Sequence, residues 1–129
     1  MSDEPAMANE QLFRGGRNVA LKVPPHEYAA TVAFYRDVLG LNRVSEVAPD
    51  LVFEFGPFRL WIDRVPGLSQ AELWLEVVTN DLSLAERRLA DAGVVRCDEI
   101  ERLPAGFPGF WIASPASIIH LMTAGDESS

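Results

Sequence analysis

The sequence predicts an α+β fold made of two tandem βαβββ modules, and three observations carry that prediction. A strand, a turn, an amphipathic helix ending in glycine and a further strand occur together twice. The copies run from Asn18 to Glu46 and from Trp74 to Ile100, with starts about 56 residues apart. In both copies the strand alternates with period two and the helix with a period near 3.6. A helix needs an apolar surface to cover, so the purely apolar strand face of each copy should pack on its helix. The other face mixes aromatic, small and polar residues and is left to line a cavity.

The elements follow in order. Residues 1–16 are polar and aperiodic and carry Pro5, Gly15 and Gly16, which reads as a flexible N-terminal arm. The first strand covers about Asn18 to Val23, with Val19, Leu21 and Val23 on one face and Asn18, Ala20 and Lys22 on the other. Pro24-Pro25 stops it, because proline supplies no ladder donor. A helix is expected from about Glu27 to Leu39, with Gly40 as its left-handed cap. Short strands are expected near Asn42 to Val47, Leu51 to Phe55 and Phe58 to Val65, the last two joined by a tight turn at Gly56-Pro57. In the last of these Leu60 and Ile62 share one face, and Arg59, Trp61 and Asp63 the other.

After the crossover Pro66-Gly67-Leu68-Ser69 the pattern repeats. Leu73, Leu75 and Val77 face one way; Glu72, Trp74, Glu76 and Val78 face the other. Asn80 or Asp81 caps the second helix, Ser83 to Glu86 offers a capping box, and Gly93 ends the helix. Strands are expected near Val94 to Ile100, Phe110 to Ala113 and Ser117 to Met122, with Ile118, His120 and Met122 opposing Ile119 and Leu121. The segment Arg102 to Trp111 is either a tight hairpin or a lid hinged at Gly106 and Gly109. Residues 125–129 read as a flexible tail.

Composition bounds the function. A chain of 129 residues makes one domain, here 17–124, divided into modules 17–66 and 71–124. The net charge of −8, with no Lys/Arg cluster, argues against nucleic acid and anionic membrane as partners. One cysteine, Cys97, excludes an internal disulfide framework and a multi-cysteine zinc site. No apolar run approaches the ~18 residues of a membrane span, and no signal-peptide pattern opens the chain, so a cytoplasmic location is the expectation. No nucleophile–base motif, phosphate loop or dinucleotide fingerprint is visible.

Three stretches carry a family resemblance: the first strand followed by Phe34, Tyr35, Leu39, Gly40 and Leu41; Asp81 before a helix ending in Ala92-Gly93-Val94; and the segment Ala113 to Met122 leading into the last strand. The chain resembles the vicinal oxygen chelate superfamily, which includes glyoxalase I, bleomycin resistance proteins and extradiol dioxygenases. The resemblance covers about Arg17 to Thr123. It implies a glyoxalase/bleomycin-resistance-like curved sheet around a cavity, and a homodimer. Members that use a metal place His, Gln or Glu on the first and last strands of each module. Those positions fall on Asn18, on Asp63 or Trp61, on Trp74, and on His120. Tryptophan offers a metal no lone pair and asparagine is a weak oxygen ligand, so the set is degenerate. A shift of two residues puts Glu76 in place of Trp74, and Asn18, Asp63, Glu76 and His120 then make a set for Mn, Fe, Zn or Ni.

Without a metal the inward faces still read as a small-molecule pocket: flat walls at Trp61 and Trp74, adaptable bulk at Ile118 and Met122, polar handles at Lys22, Arg59, Asp63, Glu76 and His120. Each has a structural reading too. The tryptophans can fill the cavity, Lys22 can pair with Glu76 and Arg59 with Asp63, and His120 can be a hydrogen-bonded core residue. The leading expectation is a cofactor-free binding protein whose ligand-binding residues are Lys22, Arg59, Trp61, Trp74, Glu76, His120 and Met122. The alternatives are a metal-dependent lyase, isomerase or dioxygenase, and a structural or partner-binding dimer.

Overall fold

The structure is a computed structural model that describes residues 11–125. The chain divides into two compact units. The N-proximal unit holds residues 17–75; of the described residues, the C-proximal unit takes 76–125 together with 11–16. The expected arm and tail fall partly outside the described residues. What is described of the arm includes a strand, because Phe13, Arg14 and Gly15 pair antiparallel with Thr79, Val78 and Val77.

The N-proximal unit opens with β2 (Asn18–Val23), following β1 (Phe13–Gly15) of the other unit. Helix α1 (Pro25–Ala33) begins with proline in its first turn, where the missing N–H costs nothing. It continues as a π-helical turn over Phe34–Val38, in which the Leu39 N–H donates to the Phe34 carbonyl at 2.9 Å. Gly40 then takes φ +66°, the left-handed stop expected of it. β3 (Leu51–Phe55) and β4 (Phe58–Arg64) form a hairpin through Gly56, also at positive φ. β2 runs parallel to β4 and antiparallel to the first half of β5 (Glu72–Thr79). Val23, Val32, Phe53, Leu60 and Ile62 form the buried core beneath α1, with Val19, Leu21, Tyr28 and Tyr35 packed against it. The apolar strand face therefore meets the helix.

The strand expected over Asn42 to Val47 is reduced to two backbone hydrogen bonds, Val44 N–H to Val52 O and Glu54 N–H to Asn42 O, each 2.8 Å. A 3-10 turn at Ser45–Val47 then carries the chain away from β3.

In the C-proximal unit, α2 (Leu82–Asp91) is capped by Asp81, whose Oδ1 accepts from the Leu84 N–H at 3.0 Å. Of the two caps the sequence offered, Asp81 is used, and no Ser83–Glu86 box forms because Leu84 occupies the third helical position. β6 is only Val95–Arg96, shorter than expected. The Asp98 carboxylate accepts the Trp111 N–H at 3.0 Å, so a side chain takes the place of ladder pairing and a 3-10 turn follows at Asp98–Ile100. β7 (Gly109–Ala113) pairs antiparallel with β6 and with β8 (Ile119–Ala124). The core of this unit gathers Phe110, Ile112 and Met122 with Phe13, Val77, Leu82, Leu89 and Val94. No helix among the described residues is long and apolar enough to cross a membrane.

Candidate functional site

Directly opposed residues on neighbouring strands share a face, so the register fixes which side chains meet. On the face of the N-proximal sheet away from α1, three rows cross the strands. Ala20 stands opposite both Trp61 and Trp74; Lys22 stands opposite Asp63 and Glu72; Asn18 stands opposite Arg59. Val52 and Glu54 of β3 extend the first and third rows, facing Trp61 and Arg59. Asn18, Lys22, Arg59, Trp61, Asp63 and Trp74 therefore come together on one surface, as the alternation of β2 and β4 predicted.

Both indole N–H groups on this face are committed. Trp61 Nε1 donates to Asn18 Oδ1 at 2.8 Å, and Trp74 Nε1 donates to Glu72 Oε1 at 2.9 Å. Those bonds fix each ring in its plane. Lys22 Nζ lies 2.8 Å from Asp63 Oδ2 and 4.3 Å from the centre of the Trp74 ring. Its side chain is 5% exposed, whereas that of Asp63 is 35% exposed, so the carboxylate alone of the pair reaches solvent. A buried ammonium needs such a partner, and the indole face adds a cation–π contact. The partner of Asp63 is thus Lys22, and Arg59 lies across from Asn18 and Glu54.

The remaining candidates belong to the C-proximal unit. Met122 is fully buried among Phe110, Ile112 and the α2 side chains. This corrects its expected place on a cavity face. His120 shares that side of β8 by strand alternation, opposite Ile112, and its Nδ1 is 2.9 Å from the Ile118 carbonyl. The error has a physical origin. Residues Ile118 to Met122 are apolar at both parities, so alternation does not say which side meets the helix. The Glu76 carboxylate packs against Gly16, where any Cβ would collide with it, and its backbone carbonyl accepts the Gly16 N–H at 2.8 Å.

A residue the sequence reading passed over is Trp111, 5% exposed on the opposite side of β7 from Phe110. Its Nε1 donates to the Glu101 carbonyl at 2.9 Å. It helps to line a groove of about 510 Å³ with Arg96, Asp98, Arg102 and Phe110. Arg96 is held there by Asp98 and Glu86 and lies 4.1 Å from the Phe110 ring centre. Burial pulls the Arg96 guanidinium down, and the two carboxylates outweigh it, leaving it above its ordinary value. The loop before β7 is pinned to β8, since the Ala124 N–H and the Thr123 hydroxyl both donate to the Pro108 carbonyl. Gly109 lies within β7, where a Cβ would stand 2.6 Å from the Met122 carbonyl oxygen, and so does not serve as a hinge.

In the N-proximal unit the donors suit a divalent ion poorly. The Asn18 side-chain oxygen already accepts the Trp61 indole N–H, and Asp63 already holds an ammonium. A doubly charged ion ~4 Å from that ammonium would be repelled by roughly 8 kcal/mol at an effective dielectric constant of about 20. Among the described residues no three His, Cys, Asp or Glu side chains are grouped as a metal ion requires.

No protein-family profile matches the sequence, and no curated protein matches it. Solved structures do match. The Mn(II)-bound glyoxalase from Novosphingobium aromaticivorans superposes with a TM-score of 0.61 at 21% identity over 88% of this chain, which spans 39% of that longer protein. Methylmalonyl-CoA epimerase from Mycobacterium tuberculosis gives 0.57 at 16% identity, covering 91% of each chain. A glyoxalase/bleomycin resistance protein/dioxygenase superfamily member from Vibrio splendidus gives 0.54 at 13% identity, covering 83% of this chain and 97% of that one. At these identities the likeness concerns the fold, and the chain has the vicinal oxygen chelate fold of the glyoxalase, bleomycin resistance and dioxygenase proteins.

Proposed function

We propose that this protein binds a small planar molecule on the mixed face of its N-proximal sheet, without a metal ion. The observation that carries this reading is the row Trp61–Ala20–Trp74. Two indoles stand one strand to either side of an alanine, with both ring nitrogens tied off by Asn18 and Glu72. Adjacent strands are about 4.8 Å apart, so the two tryptophan backbones lie about 10 Å apart. Flat, preoriented aromatic walls with a few polar groups beside them suit an apolar or aromatic ring bearing one polar substituent. Arg59 and the outer oxygen of Asp63 supply the polar contacts.

Fragment soaking followed by Trp61→Ala binding measurements tests the reading. It requires fragments against Trp61, and affinity that falls roughly tenfold or more when that ring is removed, as stacking energies imply. Fragments found only in the Arg96–Trp111 groove would sink it. A second reading draws on the burial of Trp74 and Lys22, at 7% and 4% exposure: the face is filled by its own side chains and the chain acts as a structural or partner-binding dimer. A homodimer belongs to both readings, and sedimentation equilibrium measures it.

A further inference from the structure

The row Asp63–Lys22–Glu72 has the composition of an ammonium site. Two carboxylates stand on the strands flanking β2, opposite the same residue, and an indole face closes the row. Carboxylate plus aromatic face is the chemistry that recognises a primary or methylated ammonium. The occupant is the chain's own Lys22, with Nζ 2.8 Å from Asp63 and 4.3 Å from the Trp74 ring centre. Glu72, the second carboxylate, also fixes the Trp74 ring through its indole N–H. The three side chains thus brace one another.

We propose that this row is a self-occupied ammonium site, and that Lys22 is the resident cation that keeps divalent metal off this face. On this proposal the row gives a reason for a divalent ion to be disfavoured beside Asp63: a cation is already built into the chain. It also states what would bind if the lysine were removed. Truncation of Lys22 to alanine deletes Cγ, Cδ, Cε and Nζ, which together form propylammonium. The inference stands apart from the small-molecule reading, since neither arm of its test uses that ligand.

The experiment compares full-length wild type, Lys22→Ala and Lys22→Met by thermal unfolding, with methyl-, ethyl-, propyl- and butylammonium chloride at matched ionic strength. Lys22→Ala should be stabilised saturably, most by the propyl compound; wild type and Lys22→Met, whose row is filled, should not respond. Titration with MnCl2 or ZnCl2 should show binding at least roughly tenfold tighter to Lys22→Ala than to wild type, because the repelling charge is gone. Equal metal affinity in the two proteins, or a folded Lys22→Ala that responds alike to all four amines, would overturn the proposal. If Lys22→Ala does not fold, nitrogen-15 NMR of wild type decides. A buried, bonded ammonium gives a slowly exchanging Nζ signal whose protons are shifted by the Trp74 ring, and the ring shift disappears in Trp74→Leu. A fast-exchanging, unshifted Lys22 signal would refute it.

Discussion

The two units are built from similar elements, yet their sheets treat the side away from the helix differently. In the N-proximal unit that side carries Trp61, Trp74, Lys22 and Asp63, joined by hydrogen bonds and a cation–π contact. In the C-proximal unit the corresponding strands β7 and β8 turn Phe110, Ile112 and Met122 into the helix core, leaving Trp111, Leu121 and Ile119 on the other side. Trp111 is the aromatic group there, and it is anchored to a loop carbonyl. On that side one unit presents a row of bonded polar groups and the other mainly apolar side chains. The surface proposed to bind a ligand is therefore the one in the N-proximal unit, and the contrast can be broken residue by residue.

The largest effect is expected at Asp63. Asp63→Ala takes away the carboxylate held 2.8 Å from the buried Lys22 ammonium, and breaking such a pair costs roughly 3–5 kcal/mol in stability by urea unfolding. A loss under about 1 kcal/mol would mean that the pair is solvated and the organised face is an illusion. Met122→Ala comes next, at about 2–4 kcal/mol, because a fully buried core side chain leaves a cavity. A near-neutral Met122→Ala would return that residue to a ligand surface and erase the difference between the units. Asp81→Ala should cost about 1 kcal/mol by removing the cap of α2, without altering either face.

The smallest effect is chemical. Burial first, then Asp98 and Glu99, push the Cys97 thiol above its ordinary 9.0. A group whose folded pKa is raised contributes stability that is full below the unfolded value and is lost as pH rises through the folded one. The thiolate is the reactive form, so alkylation of Cys97 by iodoacetamide should be slow at pH 7 and its rate should still be climbing with pH at pH 9 rather than levelling off. Fast labelling at neutral pH would show an activated thiol in the C-proximal unit.

Legibility in the sequence followed the same division. On β2, Val19, Leu21 and Val23 alternate with Asn18, Ala20 and Lys22, so polarity alone marks the side turned away from the helix, and the register and core packing agree. Gly40 and Gly93 stop their helices at positive φ as expected. On β8 both parities are apolar, and a one-residue change of face moves His120 and Met122 together. That Lys22 reaches Asp63 was not legible either, because a long ammonium reaches several carboxylates and the parallel register of β2 and β4 is what sets these two opposite one another. Nor does composition reveal the strand at Phe13–Gly15, whose pairing depends on a distant segment of β5.

The three tryptophans provide the most direct test, since each indole N–H has its own acceptor: Asn18 for Trp61, Glu72 for Trp74 and the Glu101 carbonyl for Trp111. Their assigned NMR signals, followed while small aromatic compounds are titrated into the metal-free protein, report which unit binds. The predicted result is a saturable shift of the Trp61 signal, a smaller one of Trp74, and none of Trp111. Movement of Trp111 alone would contradict the account.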